Sequence, residues 1–192
     1  MFEHVETSHE YQMRTRIFDA ANDLLRAYSY QQLKVKDICR VAEISKPTFY
    51  RYFADKYALA EWVFTSYERP AMLLIARTQT LETSFRITCD QMLAHRHFYR
   101  KAYAMPGAST LIELNARTFI AGSEEILYHL RGLSRTEKLD FQIRYAAYLL
   151  STMTARWLAR DMPQPSDIFA RYLAAACPRE LRELFDANAQ AQ

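Results

Sequence analysis

Apolar residues recur at intervals of three and four from Tyr11 onward, which is the spacing of one face of an α-helix. Residues 1–10 are polar and show no such period, so we expect a frayed tail there. The pattern therefore predicts a first helix that begins at about Tyr11 and packs through a single stripe. That stripe comprises Ile17, Ala20, Ala21, Leu24 and Leu25.

Two much shorter helices are predicted next along the chain. Apolar positions between Val35 and Ala42 mark a helix of about two turns. A tight connection follows, and Ser45 can then cap a helix that runs to about Tyr52. Pro47 fits the first turn of that helix, where the missing N–H has no partner inside the helix. Asp55 begins a fourth helix, which we expect to end near Ser66.

Residues 67–192 carry longer periodic segments, which predict a bundle of longer helices. Pro70 begins or kinks the first of them, and Met105-Pro106-Gly107 is the clearest turn. The predicted helices span Leu81–Tyr103, Thr110–Leu130, Thr136–Arg160, Ser166–Ala176 and about Pro178–Phe185.

The fold class that follows is all-α. We expect a frayed tail at residues 1–10, a small helical head with its connecting helix at residues 11–66, and a helical body at residues 67–192. Only three glycines among 192 residues, half of which are hydrophobic, agree with long helices joined by short turns.

Composition also limits the chemistry and the location. Cys39, Cys89 and Cys177 are far apart and form no C-x-x-C pair, so neither a disulfide framework nor a zinc site is indicated. The chain shows no secretory signal peptide and no run of about 18 apolar residues. We therefore expect a soluble, cytoplasmic protein that does not bind membranes.

Positive charge is concentrated in one stretch. Residues 34–56 carry six Lys or Arg and three Asp or Glu, so their net charge of +3 equals that of the whole chain. Localised positive charge is typical of a nucleic-acid-binding surface. A solvated helix face could produce the same pattern, and charge alone does not decide between the two.

The two short helices in this stretch favour DNA. Two helices separated by a turn of about three residues form a helix-turn-helix, whose second helix enters the major groove. Lys and Arg can read guanine edges, and Lys, Thr and Tyr can bind phosphates. The exposed face of the second helix offers Ser45, Lys46, Thr48, Tyr50, Arg51 and Tyr52.

The sequence from Val35 to Leu59 resembles the signature of the TetR family of bacterial regulators. That signature reads T-V-x-D-I, then G-V-S-x-G-T-F/L-Y-x-H/Y-F, then K-x-x-L. The chain has Val35-Lys36-Asp37-Ile38, then Ile44-Ser45-Lys46-Pro47-Thr48-Phe49-Tyr50-Arg51-Tyr52-Phe53, then Lys56-Tyr57-Ala58-Leu59. The resemblance covers residues 11–66, whereas the body is similar only in length and helical character.

The resemblance implies roles for individual residues. Tyr50 and Lys56 match the phosphate-contacting tyrosine and lysine, and Lys36 matches a position that reaches a base or a phosphate. The full set of predicted DNA contacts is Lys36, Ser45, Lys46, Pro47, Thr48, Tyr50, Arg51, Tyr52 and Lys56.

Three positions depart from the pattern. Lys34 replaces a capping Thr and weakens the start of its helix. Glu43 replaces the usual turn glycine, so the backbone either avoids a positive φ or accepts strain. Pro47 replaces the commoner Gly and could pack against a thymine methyl. These departures affect which DNA sequence is read.

The resemblance also implies that the body binds a small-molecule inducer and forms a homodimer. Aromatic and Met side chains that could line the pocket are Met92, Phe98, Tyr103, Phe119, Tyr128, Tyr145 and Tyr148, although such residues at helical spacing can equally be core. Residues that could form the dimer interface are Ile143, Ala147, Leu150, Thr154 and Trp157, and the alternative is that this band faces the protein's own core.

The sequence indicates no cofactor, no metal site and no enzyme. His95 and His97 are two residues apart, so on a helix they point to different faces and cannot share a metal. No nucleophile-elbow, Walker, Rossmann or zinc-protease motif is present.

The leading hypothesis is a repressor released from an inverted-repeat operator on double-stranded DNA by an apolar or aromatic ligand. The alternative is a helical accessory interaction protein without an inducer response.

Overall fold

The computed structural model describes residues 8–64, 79–104 and 109–187, and these fold into helices joined by short connections. The predicted tail up to residue 7, the end of the fourth helix at Ser66, Pro70 and the Met105-Pro106-Gly107 turn lie outside the described residues. Within the described part of the chain, no helix is long and apolar enough to cross a membrane.

Four helices form the head. They are α1 (Ser8–Leu24), α2 (Val35–Val41), α3 (Lys46–Tyr52) and α4 (Lys56–Val63). The bounds of α3 agree with the prediction, because Ser45 caps it through a hydrogen bond that its Oγ accepts from the Thr48 N–H at 3.1 Å. Asp55 caps α4 in the same way. Helix α1 already includes Ser8, the first described residue, which lies three residues before the expected start at Tyr11.

Six helices form the described part of the body. They are α5 (Leu81–Ala94), α6 (Arg96–Tyr103), α7 (Ser109–Glu124, continued as a π-helical turn over Glu125–Leu130), α8 (Glu137–Ala159), α9 (Ser166–Ala176) and α10 (Arg179–Asp186). Helix α5 packs most extensively on α9, and α7 packs on α8.

The single helix predicted over Leu81–Tyr103 is wrong, because the chain breaks at His95. The backbone of His95 has φ −111° and ψ 34°, outside the helical region. Its ring reaches out of the helix, with Nε2 3.5 Å from a carboxylate oxygen of Asp19 in α1. The N-terminus of α6 thereby faces α1, and the buried side chain of Asn22 accepts a hydrogen bond from the Phe98 N–H at 3.1 Å. Sequence period alone cannot reveal a break whose cause is a contact with another helix.

One core runs from the head into the body. The ring of Phe18 in α1 meets Trp62 of α4 at 6.4 Å and Phe98 of α6 at 4.9 Å, both edge to face. Phe64, at the end of α4, meets the rings of Tyr99 and Tyr103 at 5.9 Å each. The head therefore shares its apolar interior with the body.

Lys56 fixes the connection between α1 and α2. Its Nζ donates to the backbone carbonyls of Tyr30, Gln31 and Leu33 at 2.8, 3.0 and 3.1 Å. The hydroxyl of Tyr30 donates back to the Lys56 carbonyl at 2.5 Å. Burial lowers the pKa of the Lys56 ammonium and raises that of Tyr30. An ammonium has three hydrogens, so all of them are occupied by this loop.

We expect Lys56→Ala to lower the free energy of unfolding by about 2 kcal/mol, because three carbonyls lose a charged donor. The exposed Lys34→Ala, whose side chain makes no capping hydrogen bond, should change it by less than about 0.5 kcal/mol. Urea unfolding followed by circular dichroism measures both variants. Equal midpoints for the two would show that the Lys56 contacts contribute nothing to the fold.

Candidate DNA-binding surface and ligand cavity

The short helix α3 is held in place by its inner side. Phe49 and Phe53 are buried, and their rings meet at 5.9 Å. Phe53 in turn lies 5.9 Å from Trp62 of α4. A helix of seven residues is not stable by itself, so these aromatic contacts determine its direction.

The outer side of α3 is exposed and polar. Lys46, Pro47, Tyr50 and Arg51 lie on the surface, and Tyr50 keeps 55% of its accessible area. The Arg51 guanidinium stacks over the Tyr52 ring, with 5.1 Å between its central carbon and the ring centroid. Lys36 is exposed at the start of α2. These side chains are free to meet an external partner on the same side as the local positive charge.

Ser45 and Thr48 already form hydrogen bonds within the helix start. Besides the cap, their hydroxyl oxygens lie 2.8 Å apart, and Thr48 is partly buried. The structure therefore gives both hydroxyls a local structural role. A DNA contact from either one would have to share these bonds.

The turn between α2 and α3 accepts backbone strain. Glu43 has φ +52°, the left-handed region that usually requires glycine. Of the two predicted alternatives, a backbone that avoids a positive φ and one that accepts strain, the structure shows the second. The Glu43 carboxylate forms an exposed ion pair with Arg16 of α1 at 3.0 Å, which links the turn to the first helix.

Lys34 starts α2 without a side-chain cap, as expected from its position in the signature. Lys56, a predicted phosphate contact, has its ammonium on three backbone carbonyls instead. The structure therefore gives Lys56 a role in holding the loop that precedes Lys36.

A cavity lies in the body between α5, α7, α8 and α9. Its volume is about 50 Å³. Its apolar lining residues are Phe85, Cys89, Met92, Phe119, Leu150 and Leu173. Its polar lining residues are Ser84, Thr88, Asn115, Thr118, Ser151 and Thr154.

The predicted ligand-binding residues fall into three groups. Met92 and Phe119 line the cavity, and the hydroxyl of Tyr103 accepts a hydrogen bond from the Asn115 amide at 3.2 Å. Phe98 is part of the core beneath the head. The remaining three residues do not line this cavity: Tyr128, Tyr145 and Tyr148.

Those three tyrosines form contacts elsewhere. Tyr128 donates to Asp140 at 2.8 Å, and burial together with this bond raises its pKa to about 12. Tyr145 is exposed on α8, and Tyr148, also exposed, donates to Glu113. The polar half of the lining was missed, because isolated Ser, Thr and Asn residues in a helix carry no sequence signal of a cavity.

The residues predicted for the dimer interface need correction. Ile143, Ala147, Leu150, Thr154 and Trp157 are all buried within the protomer, and Leu150 and Thr154 line the cavity. A partner protomer cannot reach them on the surface. Helix α8 has a second apolar face, and the sequence could not show which of the two faces the interior.

Large apolar side chains remain exposed on the outer sides of α8 and α9. Phe141 and Tyr145 stack at 6.3 Å, and Phe141 keeps 67% of its area exposed. Met153 and Tyr172 border a groove between the end of α8 and α9, and Tyr172 is 58% exposed. We call Phe141, Tyr145, Tyr148, Met153 and Tyr172 the outer aromatic face.

No group of three or more His, Cys, Asp or Glu side chains suited to a metal ion occurs among the residues that the structure describes. His95 contacts Asp19, whereas burial, together with positively charged neighbours, lowers the pKa of His97. The two histidines therefore have separate surroundings.

Comparison with known proteins agrees with this geometry. Residues 17–63 match the family model of the bacterial regulatory proteins of the tetR family. The HTH-type dhaKLM operon transcriptional activator DhaS of Lactococcus lactis subsp. lactis (strain IL1403) is 40% identical over 48 residues. Those residues are 25% of this chain and 26% of that protein, so the match spans about a quarter of the relative.

The fold is similar over most of the chain to two solved structures. One is the dihydroxyacetone kinase operon activator DhaS, with a TM-score of 0.63 and 18% identity, covering 93% of this chain and 97% of that one. The other is the TetR family repressor AlkX from Dietzia sp. strain DQ12-45-1b, with a TM-score of 0.54 and 18% identity, covering 88% and 97%. At this identity the likeness concerns the fold.

The named relatives are a transcriptional activator and a repressor. The sequence of the head and the all-helical fold of the chain lead to the same assignment. The match of residues 17–63 to the family model and the fold of the described helices together support a regulator of the TetR family.

Proposed function

We propose that this chain is a homodimeric repressor that binds an inverted-repeat operator through α3 and responds to a small ligand bound in the body. The observation that carries the proposal is the braced helix α3, whose exposed face bears Lys46, Tyr50 and Arg51. It lies within the stretch that holds the chain's net charge of +3. A rigid helix with positive charge is what groove recognition requires.

The exposed residues divide into two roles. Lys46 and Pro47 begin α3, and the N-terminal residues of a recognition helix meet base edges. Tyr50, Arg51 and Lys36 bind phosphates, which position the protein without reading sequence. Ser45, Thr48 and Tyr52 support this face through the cap and the Arg51 stack, and Lys56 holds the preceding loop.

Dimerisation follows from the size of the reading surface. One helix of seven residues contacts only a few base pairs, so two heads are needed for a specific site. The members of the outer aromatic face are large apolar side chains that are 40–67% exposed, and such exposure favours a surface that another molecule covers. Because it lies on α8 and α9, on the opposite side of α8 from the predicted residues, we propose it as the dimer contact.

A chain of contacts connects the cavity to the head. Asn115 lines the cavity and donates to Tyr103, whose ring packs at 5.9 Å on Phe64. Phe64 directly follows α4, the helix that carries Lys56 and Trp62. A ligand that prefers one arrangement of Asn115 and Tyr103 can shift the position of α4, and with it the spacing of the two heads.

Repression is the simpler mode for such a protein. A bound repressor acts by occupying its site, whereas an activator needs an additional surface for the transcription machinery. DhaS carries the name of an activator and AlkX that of a repressor, so both modes exist among proteins of this fold. A reporter gene placed behind the operator decides the mode: its expression should fall when the chain is present.

The test of DNA recognition is a selection of bound sequences from a random pool, using the full chain. The selected sequences should form an inverted repeat, with half-sites separated by about one helical turn or a multiple of it. A consensus without dyad symmetry would contradict the proposed dimeric binding, and no enrichment at all would contradict sequence-specific binding.

Two substitutions in α3 should have different effects. Lys46→Ala should change the preferred base at one position of each half-site, with a loss of about 1–3 kcal/mol on the original site. Tyr50→Phe should weaken binding to all sequences about equally, because only a phosphate contact is lost. Binding isotherms on the selected operator and on single-base variants measure both effects.

The matched control is Lys138→Ala, an exposed lysine of α8 that pairs with Glu180 in the body. It removes the same charge at a distance from the head, so operator affinity should stay unchanged. If Lys46→Ala leaves the base preference as it was, the placement of Lys46 in the groove is incorrect.

Charge on the outer aromatic face should separate the protomers. Tyr145→Arg combined with Tyr172→Arg should give a folded monomer, because two uncompensated charges would be buried in the contact at a cost of several kcal/mol. Sedimentation equilibrium gives the mass and circular dichroism the fold. Tyr28→Arg, at an exposed tyrosine of the head, serves as the control and should remain dimeric.

The interior face of α8 should behave differently. Leu150→Arg places a charge in the protomer's own core and should prevent stable folding rather than yield a monomer. A folded dimer from the double tyrosine variant would mean that the protomers pair through another surface.

A further inference from the structure

We infer that the cavity in the body takes a neutral, compact organic molecule bearing a hydroxyl or carbonyl oxygen, and that Ser151 is the residue that recognises this oxygen. The inference rests on the proposed ligand response and specifies its chemistry. The sequence predicted an apolar or aromatic ligand, and the inference restricts this class to small neutral molecules that carry an oxygen.

Ser151 is the unusual group in this cavity. Its side chain is buried, with 2% of the residue exposed, and its Oγ has no hydrogen-bond partner. A serine inside a helix commonly bonds to the carbonyl four residues earlier, as Ser123 of α7 does with Phe119 at 2.7 Å. Leaving a buried hydroxyl unpaired is unfavourable. A hydroxyl that faces a cavity without a partner is suited to bind a polar atom of a ligand.

Other polar groups lie around the same cavity. One N–H of the Asn115 amide donates to Tyr103, and an amide has a further N–H and a carbonyl oxygen that a ligand can use. Thr118 already donates to the Leu114 carbonyl at 3.0 Å. Ser151 and Asn115 thus offer both donors and acceptors, which matches an alcohol or a ketone.

Charge excludes two other classes of ligand. Among the described residues that line the cavity, none is Asp, Glu, Lys, Arg or His. A carboxylate or an ammonium would lose its hydration there without a counter-charge, which is strongly unfavourable. A pure hydrocarbon would leave the Ser151 hydroxyl unpaired.

The volume limits the size of the ligand. The volume of the cavity is about 50 Å³, which corresponds to a few water molecules. A molecule of about seven heavy atoms can enter if flexible lining residues such as Met92 adjust. The lining also includes Phe85 and Phe119, whose rings stack at 6.2 Å and offer an apolar surface for a carbon skeleton.

The experiment uses five probes with the same ring: cyclohexanol, cyclohexanone, cyclohexane, cyclohexanecarboxylate and cyclohexylammonium. Thermal unfolding of the full chain is measured with each probe over a concentration series, since a ligand of the folded state raises the melting temperature. Cyclohexanol and cyclohexanone should raise it, cyclohexane less, and the two ions not at all.

Ser151→Ala tests the proposed contact. Without a probe, the variant should melt at the same temperature as the wild type or higher, because an unpaired hydroxyl is removed. Its affinity for cyclohexanol and cyclohexanone should be weaker by roughly threefold to tenfold, the effect of one neutral hydrogen bond. The matched control is Ser123→Ala, which should lower the melting temperature without changing the affinity for either probe.

Three results would overturn the inference: equal binding of cyclohexane and cyclohexanol, unchanged affinity in Ser151→Ala, or no stabilisation by any probe, in which case the cavity holds only water. Operator binding is measured on the same preparations to keep the two proposals apart. A protein that binds its operator but none of the oxygen-bearing probes overturns this inference alone. A protein that binds cyclohexanol through Ser151 but no DNA overturns the proposed function alone.

Discussion

The structure depends on a shared core around α1. The head, built from α1 to α4 over residues 8–64, is so small that independent stability is not expected. Phe18 contacts Trp62 in the head and Phe98 in the body from one position. Asn22, one turn further on, accepts a hydrogen bond from the start of α6. The head therefore packs on the body through shared core contacts and is not an independent unit.

This shared core determines how a signal can reach the DNA-binding surface. If the head were an independent unit on a flexible connection, a change in the body would not alter its direction. Here α1 and α4 both end in contacts with α6, through Asn22 and through Phe64. In the proposed response, a movement of α6 would displace both helices together, because packed interiors transmit strain. The cavity is connected to the last residue of α6 through Asn115.

The helix ends that were predicted correctly are those set by residues close by in the sequence. The predicted bounds of α3 and α9 agree with the structure, because a serine cap or flanking prolines end the helix within a few residues of chain. The family resemblance of the head was equally local and is confirmed. Three features were not predictable, because each depends on contacts between parts of the chain that are distant in sequence. His95, where the helix breaks, contacts Asp19, and the buried face of α8 packs on α7. Lys56 binds the carbonyls of Tyr30, Gln31 and Leu33.

Glu43 and Ser151 are two positions at which the chain does not take the most stable choice. At Glu43 the positive φ costs of order 1–3 kcal/mol. The exposed pair with Arg16 returns less than about 1 kcal/mol, so stability does not explain this residue. Ser151 likewise buries a hydroxyl that alanine would not have. Glu43 shapes the turn that precedes α3, the proposed recognition helix, and Ser151 faces the cavity. Departures from local stability concentrate at functional sites. Here they occur at the cavity in the body and at the turn before α3, the two sites that the proposed function connects.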